Sequence, residues 1–343
     1  MKKSTHCTVR FIADQLGLHF STVSRVLSGN EEVARKAASK ATVERIRSIA
    51  AEYGYTPNPH AITLRTQQSK LIGVSVPRLS DFIWATIYEA IEDTAMDKGY
   101  FAYVTNSYDK PELQRRQLAL ATARRVDGLI LGDMHTTEES LAFLDTLKIP
   151  FVLALRQAGD HLSVTCDDRE GGRQAAEFLF SQGHRDVAVL GGLDFTSTGK
   201  NRTEGFTDFY REAGCPIPAD RVIHADFDTQ GGRASAQRLL ARHPTLTAMY
   251  AVNDFAAIGA MGAVREAGLT PGVSMALIGY NDTPLAAQLP IPLATLSNPV
   301  HQLGQQAMNL LFCLLAGEPC KSIVLKPAFV FRQSAAFSAR SLL

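Results

Sequence analysis

Residues 8–27 read Thr8-Val9-Arg10-Phe11-Ile12-Ala13-Asp14-Gln15-Leu16-Gly17-Leu18-His19-Phe20-Ser21-Thr22-Val23-Ser24-Arg25-Val26-Leu27. Val9, Ile12, Ala13 and Leu16 recur at helical spacing behind Thr8, whose hydroxyl suits a first-turn cap, and Gly17 breaks the pattern. A second short helix follows from Ser21 with Val23, Val26 and Leu27 facing inward, and Ser28-Gly29-Asn30 ends it. Two helices joined by a short turn containing Gly form a helix-turn-helix. A third amphipathic helix, from Ser39 or Thr42 to Tyr53, adds Val43, Ile46, Ile49 and Ala50, so that the three enclose a small core. Residues 31–37 are expected as a loop between the second and third.

Charge agrees with this reading of the head. The first 70 residues hold 11 Lys and Arg against 5 Asp and Glu, a surplus of six, although the chain nets only +1. A short basic head on a mildly acidic body is the distribution of a nucleic-acid-binding module joined to a domain that does not bind nucleic acid. A basic helical head that is merely solvated is the alternative.

Beyond the head, Tyr55-Thr56-Pro57-Asn58-Pro59 forces extended backbone, and 56–70 is expected as a linker. From Leu71 short apolar runs alternate with amphipathic stretches. Runs at 72–76, 101–105, 128–131 and 151–155 are separated by helical patterns near 84–98, 111–124 and 138–147. After a polar break at 156–163 the rhythm restarts: helix 171–182, run 187–190, helices 202–212 and 231–241, run 248–252, helix 254–266, run 275–279. This alternation predicts doubly wound α/β lobes with parallel sheets, two of them at 343 residues. A last helix is expected near 301–315.

The sequence offers little to an enzyme. There is no P-loop, no G-x-S-x-G, no H-E-x-x-H and no G-x-G-x-x-G after a strand, and nine His are dispersed. The cysteines at 7, 166, 215, 313 and 320 lack C-x-x-C spacing, so free thiols in a reducing cytoplasm are expected, with no metal and no cofactor. No signal-peptide core and no apolar span of membrane length is present.

Several strings, in order along nearly the whole chain, resemble the lactose/galactose repressor (LacI/GalR-type) family of bacterial transcription regulators. They are Thr22-Val23-Ser24-Arg25-Val26-Leu27, Gly54-Tyr55-Thr56-Pro57-Asn58, Ala61, Leu64-Arg65, Leu71-Ile72-Gly73-Val74, Arg125-Val126-Asp127-Gly128-Leu129-Ile130, Gly183-His184-Arg185, Ala251-Val252-Asn253-Asp254 and Ile278-Gly279-Tyr280. The resemblance implies a helix-turn-helix over 1–55, a hinge helix and linker over 56–70, and a two-lobed effector domain over 71–343, similar to periplasmic binding proteins. Lobe one is expected at about 71–158 and 293–318, lobe two at about 163–290 and 322–332. The implied protein is a homodimeric repressor, cytoplasmic, without membrane association, that binds near-palindromic operator DNA under control of a small polar effector: a sugar, sugar acid or nucleoside-like molecule.

Site residues follow from the same resemblance. DNA contacts fall to Thr8, Phe20, Ser21, Thr22, Ser24 and Arg25 in the head, where a recognition helix presents its N-terminal side chains to base edges; for Thr22 and Ser24, phosphate contact and base reading stand equally. Asn58, Ala61 and Leu64 serve the hinge, with Leu64 wedging a minor-groove step or else filling a minor core. Effector contacts fall to Ile83, Trp84, Thr196, Thr198, Arg202, Phe227, Asn253 and Asn281, the aromatics covering a ring and the polar groups meeting its rim. Trp84 is alternatively a core residue. Asn281 stands where the family often has Asp, so effector identity stays open. Truncation of Arg202 is expected to weaken effector binding and spare the fold. Between Gly29 and the third helix the chain has about five residues more than the family pattern, and Arg35, Lys36 and Lys40 there either reach phosphates or only solvate the loop. Two alternatives remain: a cytosolic sugar sensor that makes no use of its head on DNA, and a sugar- or nucleotide-acting enzyme on the same lobes.

Overall fold

The computed structural model describes residues 8–28, 31–56 and 68–337. The chain divides into two compact units, Met1–Lys70 and Leu71–Leu343.

In the first unit, helix α1 (Val9–Leu16) starts at Thr8, whose Oγ1 accepts from the Phe11 N–H at 3.2 Å, and ends at Gly17, with φ of 63°. A residue without Cβ holds that left-handed turn at little cost. Helix α2 (Phe20–Val26) begins one residue earlier than the apolar spacing predicts, because the His19 ring serves as its cap. Residues 31–37 form a helix, α3 (Glu31–Ala37), where a loop was expected. Its Glu31 and Glu32 lie in the first turn and Arg35 and Lys36 in the last, the charge order that favours a helix dipole. Ala34 is fully buried, Arg47 pairs with Glu31 and Lys36 with Glu32. Seven residues are too few for periodicity to reveal a helix that tertiary packing stabilises. Helix α4 (Lys40–Glu52), capped by Ser39, completes a core around Ile12, Val23, Val26 and Ile46.

The second unit contains two six-stranded sheets. The first comprises β1 (Leu71–Val76), β2 (Phe101–Asn106), β3 (Gly128–Leu131), β4 (Phe151–Ala154), β5 (Ser163–Cys166) and β11 (Ile323–Leu325), in the order β11-β5-β4-β3-β1-β2. The second comprises β6 (Val187–Gly191), β7 (Val222–His224), β8 (Ala248–Ala251), β9 (Ala276–Asn281), β10 (Ala294–Ser297) and β12 (Ala328–Val330), in the order β12-β10-β9-β8-β6-β7. The two orders correspond strand for strand, and every pairing is parallel except β10 with β12. The central strands are buried, as helices on both faces require.

Helices α5 (Phe82–Asp97), α6 (Pro111–Ala123) and α7 (Glu138–Thr146) belong to the first lobe. So does α13 (Val300–Leu315), whose Leu303, Ala307 and Leu311 enter the core of β1 and β3. The second lobe carries α8 (Asp168–Ser181), α9 (Ser197–Glu212), α10 (Thr229–Arg242), α11 (Asp254–Glu266) and the short α12 (Pro284–Gln288).

The expected lobe boundaries need three corrections. Residues 163–166 belong to the first sheet rather than lobe two, 294–297 to the second sheet rather than lobe one, and 323–325 to the first sheet rather than lobe two. The chain therefore crosses between lobes after Cys166, after Ser297 and after Leu325. Each misplaced strand is three or four residues long, and which sheet accepts it depends on long-range pairing that local pattern does not encode. Among the described residues no helix is long and apolar enough to cross a membrane.

Candidate DNA-reading helix and effector cleft

Helix α2 offers an outward face at its start. Phe20 is 52% exposed, a large apolar side chain left to solvent, and Arg25 is exposed one turn later. Thr22 and Ser24 are half-buried, and the Ser21 hydroxyl sits 2.8 Å from His19 Nδ1. Thr8 spends an oxygen lone pair on its capping bond. Lys36, held by Glu32 at 2.6 Å, is committed to a surface pair. Asn58, Ala61 and Leu64 lie outside the described residues.

In the second unit both sheets run β2-β1-β3-like through their centres, so each has its topological switch point between the first and third strands, where open α/β sheets bind ligands beyond the carboxyl ends. A cavity of about 560 Å3 opens there between the lobes. Lobe one contributes Ile83 and Trp84 from the start of α5, Tyr108 and Asp109 after β2, and Arg156 after β4. Lobe two contributes Phe195 and Thr198 after β6, Arg202 from α9, Phe227 after β7, Asn253 after β8 and Asn281 at the end of β9. The lobes also touch directly. The Thr136 N–H donates to the Phe195 carbonyl at 2.9 Å, the Gln157 N–H donates to Ser197 Oγ at 2.9 Å, and the His135 ring lies 4.1 Å from that of Phe195.

Buried charge in the cleft is paired. Arg202, 3% exposed, donates from Nε to Asp168 Oδ1 at 2.7 Å and from Nη1 to the Val252 carbonyl at 2.9 Å and to Asn281 Oδ1 at 3.4 Å. Its guanidinium lies 3.7 Å over the Tyr280 ring. Burial opposes that charge, but the Asp168 carboxylate holds the Arg202 pKa above its ordinary value. No protein acceptor takes Nη2 among the described residues. On the opposite wall Arg156 forks onto Asp109 with Nη1 at 2.5 Å and Nη2 at 3.2 Å. Burial alone would raise the Asp109 carboxyl, yet His135 and Arg156 outweigh it and hold its pKa at about 2. Asp81 caps α5 by accepting from the Ile83 N–H at 2.9 Å; burial raises its pKa against that bond and the pull of Arg156. Three arginines and four aspartates line the cavity, with Asp168 behind Arg202 as a further negative charge.

The fold brings the expected effector residues to this cavity with one exception. Thr196 is fully buried as the cap of α9, its hydroxyl donating to the Leu193 carbonyl and accepting from the Gly199 N–H, so it shapes the loop without lining the cavity. Trp84 is 5% exposed within the lobe-one core and also lines the cleft. Asn253 caps α11 through Oδ1 and donates from Nδ2 to the Phe227 carbonyl at 2.7 Å, which fixes the loop bearing that ring and leaves one amide N–H. Sequence reasoning missed Asp81, Tyr108, Asp109, Arg156 and Asp168. For Arg156 the sequence does hold a signal: a cation directly after the apolar run 151–155, whose pattern predicts a strand.

Next to Asn253, Asp254 is fully buried. It accepts from the Thr283 N–H at 2.7 Å, the Thr283 hydroxyl at 2.9 Å and the Thr295 hydroxyl at 2.6 Å, joining α11, α12 and β10 behind the cleft. Burial raises its pKa to about 6, against those bonds. A carboxyl whose folded pKa lies above the unfolded value near 3.8 adds stability in full below pH 3.8 and loses it as pH rises through 6. The span corresponds to about 3 kcal/mol at most. Asp254→Asn is expected to flatten that part of the pH profile, measured as urea midpoints from about pH 4 to pH 7; parallel profiles for the two proteins would refute it.

A helix-turn-helix head and a two-lobed α/β body with a polar, aromatic-walled cleft define a class: DNA-binding regulators that carry a ligand-binding domain. The chain belongs to the LacI family. The family described as "Bacterial regulatory proteins, lacI family" matches residues 8–58, and "Periplasmic binding proteins and sugar binding domain of LacI family" matches residues 69–321. Among curated relatives, the HTH-type transcriptional regulator DegA of Bacillus subtilis is 28% identical over 335 residues, covering 95% of this chain and 97% of that one. The HTH-type transcriptional repressor PurR of Klebsiella pneumoniae is 28% identical, covering 96% and 97%. Among solved structures, the lac repressor dimer bound to operator and the anti-inducer ONPF superposes with a TM-score of 0.85 at 26% identity, covering 96% of this chain and 98% of that one. The CelR–cellobiose complex shares the fold, with a TM-score of 0.73 at 24% identity over 96% of this chain and 99% of that one. The protein is a DNA-binding transcriptional regulator under allosteric control, and the enzyme alternative falls.

Proposed function

We propose that the protein is a homodimeric, cytoplasmic repressor whose affinity for a near-palindromic operator is set by a small, uncharged polar effector bound between the lobes. The observation that carries this reading is the inter-lobe cavity, walled by Trp84 and Phe227 and rimmed by Arg202 and Asn281, in a chain with a helix-turn-helix head. Of the three effector types the sequence admits, sugars and nucleoside-like molecules are favoured over sugar acids, since an anion would meet two buried arginines already neutralised and a lining that carries four aspartates, with only Arg78 as an exposed cation. Phe82, Met96 and Phe101 are large apolar side chains left exposed on lobe one and open to a second copy, in line with the lac repressor dimer.

Effector binding would bias the lobe arrangement across the three crossovers, coupling effector and operator affinities by equal and reciprocal factors. The test is a thermal-shift screen of neutral sugars, sugar acids and nucleosides, in which a ligand at 100 times its Kd adds about 2.7 kcal/mol, followed by operator titration with each hit. A ligand that binds the cleft and leaves operator affinity unchanged would refute the coupling. Leu64→Ala is expected to weaken operator binding and reduce DNA bending while effector affinity and dimerisation persist, since a minor-groove wedge acts on a base step. An unchanged bend angle would remove Leu64 from that role.

A further inference from the structure

In each lobe an aromatic ring of the cleft lies against a glycine at the carboxyl end of a strand. Gly132 follows β3, and a β-carbon there would overlap Cζ3 and Cη2 of the Trp84 indole. Gly192 follows β6, and a β-carbon there would overlap Cε1 and Cζ of the Phe227 ring. Backbone conformation does not require either glycine, since neither has a positive φ. The backbone has little room to yield, because the Gly132 N–H donates to the Ser75 carbonyl at 2.8 Å and the Gly192 carbonyl lies 2.8 Å from His224 Nδ1. The rings cannot retreat either. Trp84 is part of the lobe-one core and Phe227 packs on that of lobe two, and close-packed interiors do not absorb an added methyl group freely. A side chain at either glycine would therefore drive its ring into the cavity.

We propose that Gly132 and Gly192 are specificity-determining positions: they let Trp84 and Phe227 stand close against the strand ends on opposite walls, so that the cleft keeps room between them for an uncharged ring-shaped ligand. This rests on the effector reading above. Of the three arginines lining the cleft, the two buried ones are held by Asp109 and Asp168 and Arg78 is exposed, while four aspartates share the lining, so ring faces and hydrogen bonds, rather than a ligand's negative charge, select the effector.

The test uses the full chain with Gly132→Ala and Gly192→Ala. Trp84 is the only tryptophan, so its emission reads the first variant without any ligand. Gly132→Ala should red-shift that emission and increase acrylamide quenching, whereas Gly192→Ala should leave both alone. Calorimetry then follows, with the neutral mono- or disaccharide that gives the largest thermal shift on the unsubstituted protein. Each variant should bind it about tenfold more weakly or worse, and adding Trp84→Phe to Gly132→Ala should recover part of the loss. Unchanged emission in Gly132→Ala, or full affinity in both variants, overturns the assignment. A panel in which only sugar phosphates or sugar acids bind overturns the ligand class. A neutral sugar that binds through these rings without altering operator affinity would support the glycine assignment and defeat the effector reading instead.

Discussion

Arg202→Ala is expected to destabilise the body of the protein by about 3–5 kcal/mol, because it leaves the buried Asp168 carboxylate without its partner. Both side chains are 3% exposed and 2.7 Å apart. The buried pair changes the expectation that truncating Arg202 would spare the fold: this residue supports the lobe, besides the ligand contact proposed for it. Urea unfolding measures the first role and calorimetry the second, where loss of a desolvated donor is expected to cost effector affinity at least about tenfold. The double variant Arg202→Met with Asp168→Leu separates them. Removing a buried pair together is often near neutral, so stability should largely return while effector binding stays impaired. A single variant that unfolds at the original midpoint would show that the pair contributes nothing net. Asn281→Asp would place a second carboxylate within reach of Arg202, since Asn281 Oδ1 already accepts from it and from Asn298. It is expected to change which ligands bind rather than abolish binding.

A duplex selected by the protein from a random pool should lose about 10³-fold or more in affinity at physiological salt when its half-sites are scrambled, the usual gap between specific and non-specific complexes. Phe20 and Arg25 stand exposed on α2 where base edges would be met. Arg25→Ala is expected to cost about 1–3 kcal/mol and relax preference at one position if it reads a base, or to weaken all sequences alike and lower the salt slope if it contacts phosphate. Electrophoretic shifts at graded salt distinguish the two. Equal binding to selected and scrambled duplexes would remove sequence reading from α2.

Legibility differed between elements for physical reasons. Strand β3 and helix α4 were readable because each is long enough, or apolar enough, for its period to appear locally. Helix α3 was not, since its seven residues are held by the fully buried Ala34 in a core with α2 and α4 and by the Arg47–Glu31 pair to α4, and only Lys36–Glu32 is local. Strands β5, β10 and β11 escaped for a related reason: Ser163-Val164-Thr165-Cys166 carries no strong alternation, and only the neighbouring strand supplies its hydrogen-bond partners.

The sequence by itself determined the helix-turn-helix order, the two α/β lobes, the family, and a set of cleft residues of which Trp84, Arg202, Phe227 and Asn281 meet at one cavity. Those properties are written in local periodicity, capping residues and collinear motifs. Tertiary structure alone decided that Thr196 caps a helix instead of lining the cleft, that the chain crosses between lobes three times, and that Arg202 and Arg156 arrive at the cleft already paired with Asp168 and Asp109. A pairing across 34 or 47 residues depends on which strand ends the sheet order places side by side, and hydrophobic period carries no record of that order.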